Sequence, residues 1–413
     1  MVPTTTNQEV PPRPTAATVR SGSGAREPAL RIAINLLTED PSKPSGAHWC
    51  WTPVIPEIAK RLEPGEELHL MVSPTAKHHY QGYGPGVHYL MYPWSNEHRW
   101  LRTASEHLYS PVRLPLSRID VLATLMAPIL NPSWTLALHM KTMHAYTTPE
   151  SLSLAVRAYR RFSYPRSTRL ASAIIVNSES LRSEVLRYLD VDPAKIKVVY
   201  EAIDHDLFKP GDRAKATATV ARHGLNKPFA LFVSSLWPYK NCEGLLKAWA
   251  IGRERFGGRQ LAIVGFVRSE RYADELKELA ARLGIAEDVV FVGGVSHEET
   301  ALFYQAADLL VYPSFSETFG LPILEAMACE CPVVTSNISS MPETAGGAAV
   351  LCDPHQPASI ARAIEEALAA GRDGLRDRGK QRASTFTWAT AGAQTLDVYR
   401  EVGEMRKAGR STK

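Results

Sequence analysis

The chain has 413 residues, 45 % of them apolar, and a formal net charge of +4. This is too long for one ordinary core and suits two domains. The mild basicity fits an anionic ligand but lacks the basic stripe of a nucleic-acid binder. No apolar run approaches the ~20 residues that a membrane span needs. Residues 1–28 carry Pro, Thr, Ser and Gly with no apolar signal segment, so they read as a disordered tail rather than a secretory leader. The five scattered cysteines, Cys50, Cys242, Cys329, Cys331 and Cys352, read as reduced thiols of a cytosolic chain. Cys329 and Cys331 lack the spacing of a zinc knuckle, and no second pair exists.

In chain order, LRIAINLL (30–37) is a strand, followed by a Pro/Ser/Gly loop and the helical VIPEIAKRL (54–62). Strands are expected at 69–73, 87–92, 119–125, 135–144, 172–178 and 195–203. The second half repeats the rhythm: strands at 229–235, 259–265, 289–294, 308–314 and 331–337 alternate with helices at 243–256, 272–284 and 297–306. Such alternation implies parallel sheets with right-handed crossovers, and two runs imply two Rossmann-like domains. The expected domains are 29–205 and 206–389, with a C-terminal helix at 390–410 packing back on the first.

SFSETFGLPILEAMA (314–328) holds two glutamates, Glu317 and Glu325, around a Gly-Leu-Pro turn. Pro322 suits the first turn of a helix, so a helix is expected from Leu321 to about Cys329. The backbone N–H groups of Thr318, Phe319, Gly320 and Leu321 then form an anion site, and Gly320 lets a ligand approach closely. A carboxylate aimed at a phosphate would be repelled. The acids are therefore expected to accept from hydroxyls, sugar hydroxyls at Glu317 and ribose hydroxyls at Glu325. A diphosphate flanked by two polyols, a nucleotide sugar, meets these demands.

YPSFSETFGLPILEAMACECPVVTSNISSMPETAG (312–346) resembles the nucleotide-sugar site of retaining GT-B glycosyltransferases of the group-1 (family 4) type. The resemblance covers most of residues 30–400 and is strongest from 228 to 360. It implies an α/β fold, GT-B, with two Rossmann-like domains of parallel sheets facing across a cleft. SSLWPYKN (234–241) is similar to the family's Gly-Arg-x-x-x-x-Lys-Asn loop, which holds the diphosphate. Lys240 matches the lysine, and Ser235 stands where the arginine is usual. Gly46, in SGAHWCWTP (45–53), fits the glycine-rich loop that touches the donor phosphate. His48, Trp49 and Trp51 there either shape the acceptor side or fill a domain edge. His144 matches the position whose histidine lies over the sugar, with Ala145 where an aspartate is usual. Ser296 and His297, in GGVSHEE (293–299), match the loop around the base. His139 is left as core or surface.

Three other stretches carry less. Asp190-Val191-Asp192 reads as a turn before Pro193, so no metal requirement is expected. GYGPGVHY (82–89) lacks the spacing of a dinucleotide loop. RAYRRFSYPRSTR (157–169) holds five arginines and reads as a solvated helix face, the alternative being a patch for a membrane surface or an anionic acceptor.

The resemblance implies a retaining hexosyltransferase that moves a sugar from a nucleoside diphosphate to an acceptor hydroxyl on a glycan or glycolipid. GDP-mannose is the preferred donor, with UDP-glucose or UDP-N-acetylglucosamine as the alternative. Glu317, His144 and Lys240 are the expected catalytic residues, and neither cofactor nor metal is expected. The other classes considered are a nucleotide-sugar epimerase, a phosphorylase and a non-catalytic sugar-nucleotide binding protein. A cytoplasmic location is expected, with peripheral contact at the inner membrane face left open and no nucleic-acid partner.

Overall fold

The computed structural model describes residues 30–37, 52–93, 105–125, 135–370 and 372–411. Its first half contains strands β1 (Leu30–Asn35), β2 (Glu66–Val72), β3 (Val87–Met91), β4 (Val121–Thr124), β5 (Thr135–His139), β6 (Ala173–Val176) and β7 (Ile196–Val198). They form one sheet in the order β3-β2-β1-β4-β5-β6-β7. Its second half contains β8 (Phe229–Val233), β9 (Gln260–Val264), β10 (Val289–Gly293), β11 (Leu309–Tyr312), β12 (Val333–Ser336) and β13 (Val350–Cys352). These form a second sheet in the order β10-β9-β8-β11-β12-β13. Every named pair is parallel.

Alternation along each strand splits the core of each sheet into two layers. Ile32 and Ile34 of β1 enter one layer with Val121 and Ala123, while Ala33 enters the other with Leu122. In β8, Leu231 faces one layer and Ala230 and Phe232 the other. The chain order reverses between β1 and β4 in the first sheet and between β8 and β11 in the second. In such sheets a ligand crevice opens beyond the carboxyl ends of the strands at that reversal. The loops after β8 and β11 flank it in the second sheet.

Several strands are shorter than the sequence suggests, and two of them end well before their expected bounds. The expected strand 135–144 ends at His139, and the chain turns into a short helix at His144–Thr147. The strand expected at 195–203 ends at Val198. Beyond it, Glu201 accepts from Lys141 at 3.0 Å and from Asn177 at 3.0 Å, which draws the chain out of the ladder. Strand β13 and the helices Met341–Ala345, Pro357–Ala369 and Arg372–Ser384 were not among the expected elements.

The last helix, Trp388–Ser411, lies on the first sheet, where Leu396, Tyr399 and Val402 join the layer of β1 and β2. Arg400 reaches Glu66 through two 2.8 Å bonds, and the Tyr399 hydroxyl meets His139 Nε2 at 2.8 Å. His139 is therefore a core histidine, and burial holds its pKa well below the usual value. The two halves also touch directly. Glu343 accepts the amides of Glu179 at 2.7 Å and Ser180 at 3.0 Å, at the N-terminus of helix Glu179–Tyr188. That places a carboxylate from one domain on the positive end of a helix from the other.

Among the described residues no helix is long and apolar enough to cross a membrane. Cys242, Cys329, Cys331 and Cys352 are buried and unbridged.

Candidate functional site

The motif helix runs from Leu321 to Ala328, with Pro322 in its first turn. Gly320 caps it at φ 95°, a left-handed conformation that favours glycine. The amides of Thr318, Phe319, Gly320 and Leu321 have no hydrogen-bond partner among the described residues. The loop in front of the helix is held from several sides. Ser339 and Ser340 donate to the Glu317 carbonyl at 2.7 and 2.9 Å, and Ser339 also accepts the Glu317 amide at 3.2 Å. Ser178 of the first domain donates to the Thr318 carbonyl at 2.7 Å. Phe319 is buried and stacks on Tyr200 with ring centroids 6.0 Å apart, so its side chain is core and only its amide is available to a ligand.

The loop after β8 brings Lys240 to Glu317. Lys240 Nζ donates to both carboxylate oxygens at 2.6 and 2.8 Å and to the Tyr312 hydroxyl at 3.1 Å. Tyr312 in turn donates to Glu317 at 2.5 Å. Burial opposes the charge on Lys240, but Glu317, Tyr312 and Tyr239 outweigh it and raise the lysine pKa above its usual value. Asn241 locks the two loops together: its amide nitrogen donates to the Pro313 carbonyl at 3.0 Å and the Pro354 carbonyl at 2.8 Å. Its oxygen accepts from Gly244 at 3.1 Å and so caps the helix that follows.

His144 comes from the other domain. Its ring lies 5.2 Å from that of Tyr239, the neighbour of Lys240. Burial lowers its pKa to about 4, with Glu317 pulling it up and Lys240 pushing it down. At neutral pH the imidazole is uncharged. Helix His144–Thr147, the β8 loop and the β11 loop thus meet across the cleft.

A second part of the site lies along the motif helix. Glu325 lines a cavity of about 140 Å³ with Ser235, Phe266 and His297 among its walls. Tyr304 donates to Glu325 at 2.9 Å, yet burial dominates and pushes the carboxyl pKa up to about 7. Gly265 forms the floor, where a Cβ would fall 1.8 Å from the Ser234 carbonyl oxygen. Burial also lowers the pKa of His297. Ser296 is occupied otherwise, since its hydroxyl accepts the Glu299 amide at 3.2 Å and caps helix His297–Ala306.

The structure thus gathers Lys240, Glu317 and His144 in one place and Ser235, His297 and Glu325 in an adjoining one. Gly46 and its neighbours at 45–51 lie outside the described residues. Tyr312, Asn241, Ser339 and Ser340 are contributors that sequence reasoning missed. Only the asparagine of the Lys-Asn pair carried a signal. Asp192 accepts the Ala194 amide at 2.9 Å and starts the turn Pro193–Lys195. Among the described residues no three His, Cys, Asp or Glu side chains form a group that could hold a metal ion.

Comparison with known proteins agrees with two Rossmann-like halves around such a cleft. Residues 217–385 match the family model described as glycosyl transferases group 1, and residues 57–207 match that described as glycosyltransferase family 4. D-inositol 3-phosphate glycosyltransferase 2 of Catenulispora acidiphila is 36 % identical over 250 residues, 57 % of this chain and 58 % of that protein. O-antigen chain mannosyltransferase B of Escherichia coli is 31 % identical over 259 residues, 62 % of this chain and 67 % of that protein. The crystal structure of Anabaena Alr3699/HepE in complex with UDP and glucose superposes with a TM-score of 0.65 at 20 % identity, covering 89 % of this chain and 98 % of that one. The chain belongs to the group-1 glycosyltransferases and has the GT-B fold. It spans little more than half the length of the first of these relatives.

Proposed function

We propose that the protein transfers a hexosyl group from a nucleoside diphosphate sugar to an acceptor hydroxyl on a glycan or glycolipid, with retention of anomeric configuration. GDP-mannose is the donor we favour, in line with the similarity to an O-antigen mannosyltransferase. The UDP and glucose bound by the Anabaena neighbour favour a UDP-sugar as the second reading.

The observation that carries this reading is the order of groups along one loop and helix. Lys240 and Glu317 come first, then the amides of Thr318, Phe319, Gly320 and Leu321, then Glu325 in its cavity. A sugar on Glu317, a diphosphate on the amides and a ribose on Glu325 would follow that order. Lys240 and Glu317 neutralise each other in the structure, so neither charge is left buried alone. On donor binding the phosphate takes over Lys240 and the sugar hydroxyls take over Glu317. As the bond from the anomeric carbon to phosphate oxygen breaks, Lys240 and the amides stabilise the charge that builds on the diphosphate. The acceptor oxygen attacks on the same face, and the departing phosphate oxygen takes its proton. Neutral His144 lines the sugar pocket. A single cation and a row of amides supply the charge compensation, so no metal is required in this scheme.

The test is a thermal-shift panel with GDP, UDP and ADP, each with magnesium and with EDTA. A nucleotide at ~100 times its dissociation constant adds about 2.7 kcal/mol of stability. A shift with one base, the same under EDTA, is the expected outcome. No shift with any base would refute the reading. Magnesium dependence would refute the metal-free scheme.

A further inference from the structure

We propose that a cavity of about 320 Å³ beside the β8 loop is a subsite for a neutral pyranose ring of the acceptor glycan. Both domains line it. The second gives Trp237 and Tyr239 from that loop, and Tyr272 and Glu275 from helix Glu270–Arg282. The first gives Glu150 and Ser151, from the turn Pro149–Ser151 that follows helix His144–Thr147. Trp237 and Tyr239 stand at open positions of the Gly-Arg-x-x-x-x-Lys-Asn pattern, so the resemblance assigns them no role.

The walls are held by backbone groups. The Trp237 amide donates to the Ser235 carbonyl at 2.9 Å, and the Lys240 amide donates to the Trp237 carbonyl at 2.9 Å. Ser151 donates to the Thr148 carbonyl at 2.7 Å. Ser269 accepts the Tyr272 amide at 3.3 Å and caps its helix. The indole N–H of Trp237 and the hydroxyls of Tyr239 and Tyr272 have no hydrogen-bond partner among the described residues. Aromatic rings offer an apolar surface to the C–H face of a pyranose, and their polar tips meet the hydroxyls at its rim. An apolar lining with a few placed polar groups is the make-up of small-molecule sites. The charge does not suit an anion. Glu150 and Glu275 line the cavity against one cation, Arg271, which is itself spent on Glu275 at 2.8 Å. Just outside, Arg268 acts on Tyr239 and Glu243 on Tyr272, with opposite signs. No surplus of positive charge awaits a phosphate or a carboxylate. An acyl chain would strip water from the indole N–H, the two hydroxyls and the carboxylates and replace none of it.

The cavity adjoins the candidate reaction site through Tyr239. That ring lies 5.2 Å from the ring of His144, and Lys240 Nζ lies 5.1 Å from its centroid. Glu150 also bears on the His144 charge. The Glu325 cavity shares no lining residue with this one. In the proposed scheme the donor sugar engages Glu317, so a second sugar beside that centre is the acceptor. The role of acceptor rests on the proposed reaction; the binding of a sugar here does not.

The experiment is saturation-transfer NMR on the full chain, with and without GDP or UDP. The probes are the methyl glycosides of mannose, glucose, galactose and N-acetylglucosamine, with mannose 6-phosphate and glucose 6-phosphate as the anionic counterparts. Binding of at least one neutral glycoside, tighter than that of the phosphorylated sugars, is expected. Trp237→Ala should weaken it about tenfold and Glu150→Ala about threefold. Both variants should keep the wild-type nucleotide thermal shift, or the wild-type melting temperature if no nucleotide binds. The proposal is overturned if no neutral glycoside binds, if the phosphorylated sugars bind more tightly, or if Trp237→Ala binds as well as the wild type. Should Trp237→Ala melt early, Glu150→Ala decides the same question. Sugar binding without any nucleotide shift would keep the site and refute the transferase. A nucleotide shift without sugar binding would refute the site alone.

Discussion

Glu317 and Glu325 stand on one loop and helix, yet the protein treats them differently. Glu317 is met by a cation and a phenol, Lys240 and Tyr312, and its charge is balanced where it stands. Glu325 is met by one neutral phenol, Tyr304, and burial raises its pKa to about 7. The first arrangement pairs the carboxylate with a buried cation. The second keeps an acid whose charge depends on pH and on what occupies the cavity. In the proposed scheme the ion-paired glutamate would stand where the bond breaks, and the glutamate whose pKa burial raises would stand at a place of binding.

The contrast breaks most visibly at the ion pair. Glu317→Ala leaves Lys240 buried without its anion, and Lys240→Ala does the reverse. Removing one partner of a buried pair costs about 3–5 kcal/mol of stability. Loss of a group that stabilises transition-state charge costs about 10²–10³-fold in kcat. Both single variants should therefore melt earlier and turn over at least a hundredfold slower. The pair Lys240→Met with Glu317→Leu separates the two effects. Its melting temperature should return toward that of the wild type, because no charge is stranded, while transfer stays lost. A double variant that regains turnover would remove both residues from the mechanism.

Glu325 should show a smaller effect with a pH signature. A carboxyl whose folded pKa lies above its unfolded value holds more protons in the folded state between the two. Stability from this group is present at low pH and falls as pH rises from 4.5 to about 7. His144 works in the opposite sense, because its pKa is lowered from 6.5 to about 4 and its contribution is lost as pH falls through that window. The two slopes oppose each other in the wild type. Subtracting the profile of Glu325→Gln from that of the wild type isolates the first. The difference should decline between pH 4.5 and 7, and a flat difference would mean that Glu325 is ionised like an exposed acid. Nucleotide affinity should fall about 10- to 100-fold in the variant, the worth of hydrogen bonds to a charged group.

The same contrast explains what was legible beforehand. The motif helix could be placed because Gly320 and Pro322 impose its start by local geometry alone. Glu325, eight positions after Glu317, follows from that start. Lys240 could be matched because SSLWPYKN follows an expected strand and resembles the family's Lys-Asn loop; the structure adds that this strand, β8, lies at the reversal of the second sheet. What stayed hidden was whatever depends on distant partners. Tyr312 looks like an ordinary strand residue until the chain folds Lys240 over it. Ser339 and Ser340 reach Glu317 from the loop after β12, and no local pattern announces that. The early end of β7 has the same origin, because Glu201 leaves the ladder for Lys141, 60 residues earlier. The cavity beside Tyr239 was hidden too, because Trp237 and Glu150 line it from different domains.

The smallest expected effect concerns the pair of aspartates at the end of the first domain. Asp190-Val191-Asp192 has the spacing of a metal-holding string, but Asp192 spends its carboxylate on the Ala194 amide and faces solvent there. Its role is to start the turn Pro193–Lys195 that feeds β7. Asp192→Ala should cost about 1 kcal/mol or less, as an exposed cap does, and lower the melting temperature slightly. Transfer by Asp190→Asn/Asp192→Asn should match the wild type in the presence of a chelator and with added manganese. A loss of activity that manganese restores would place a metal at these aspartates. The diphosphate charge would then have to be met there, far along the chain from Lys240 and the amides of the motif helix.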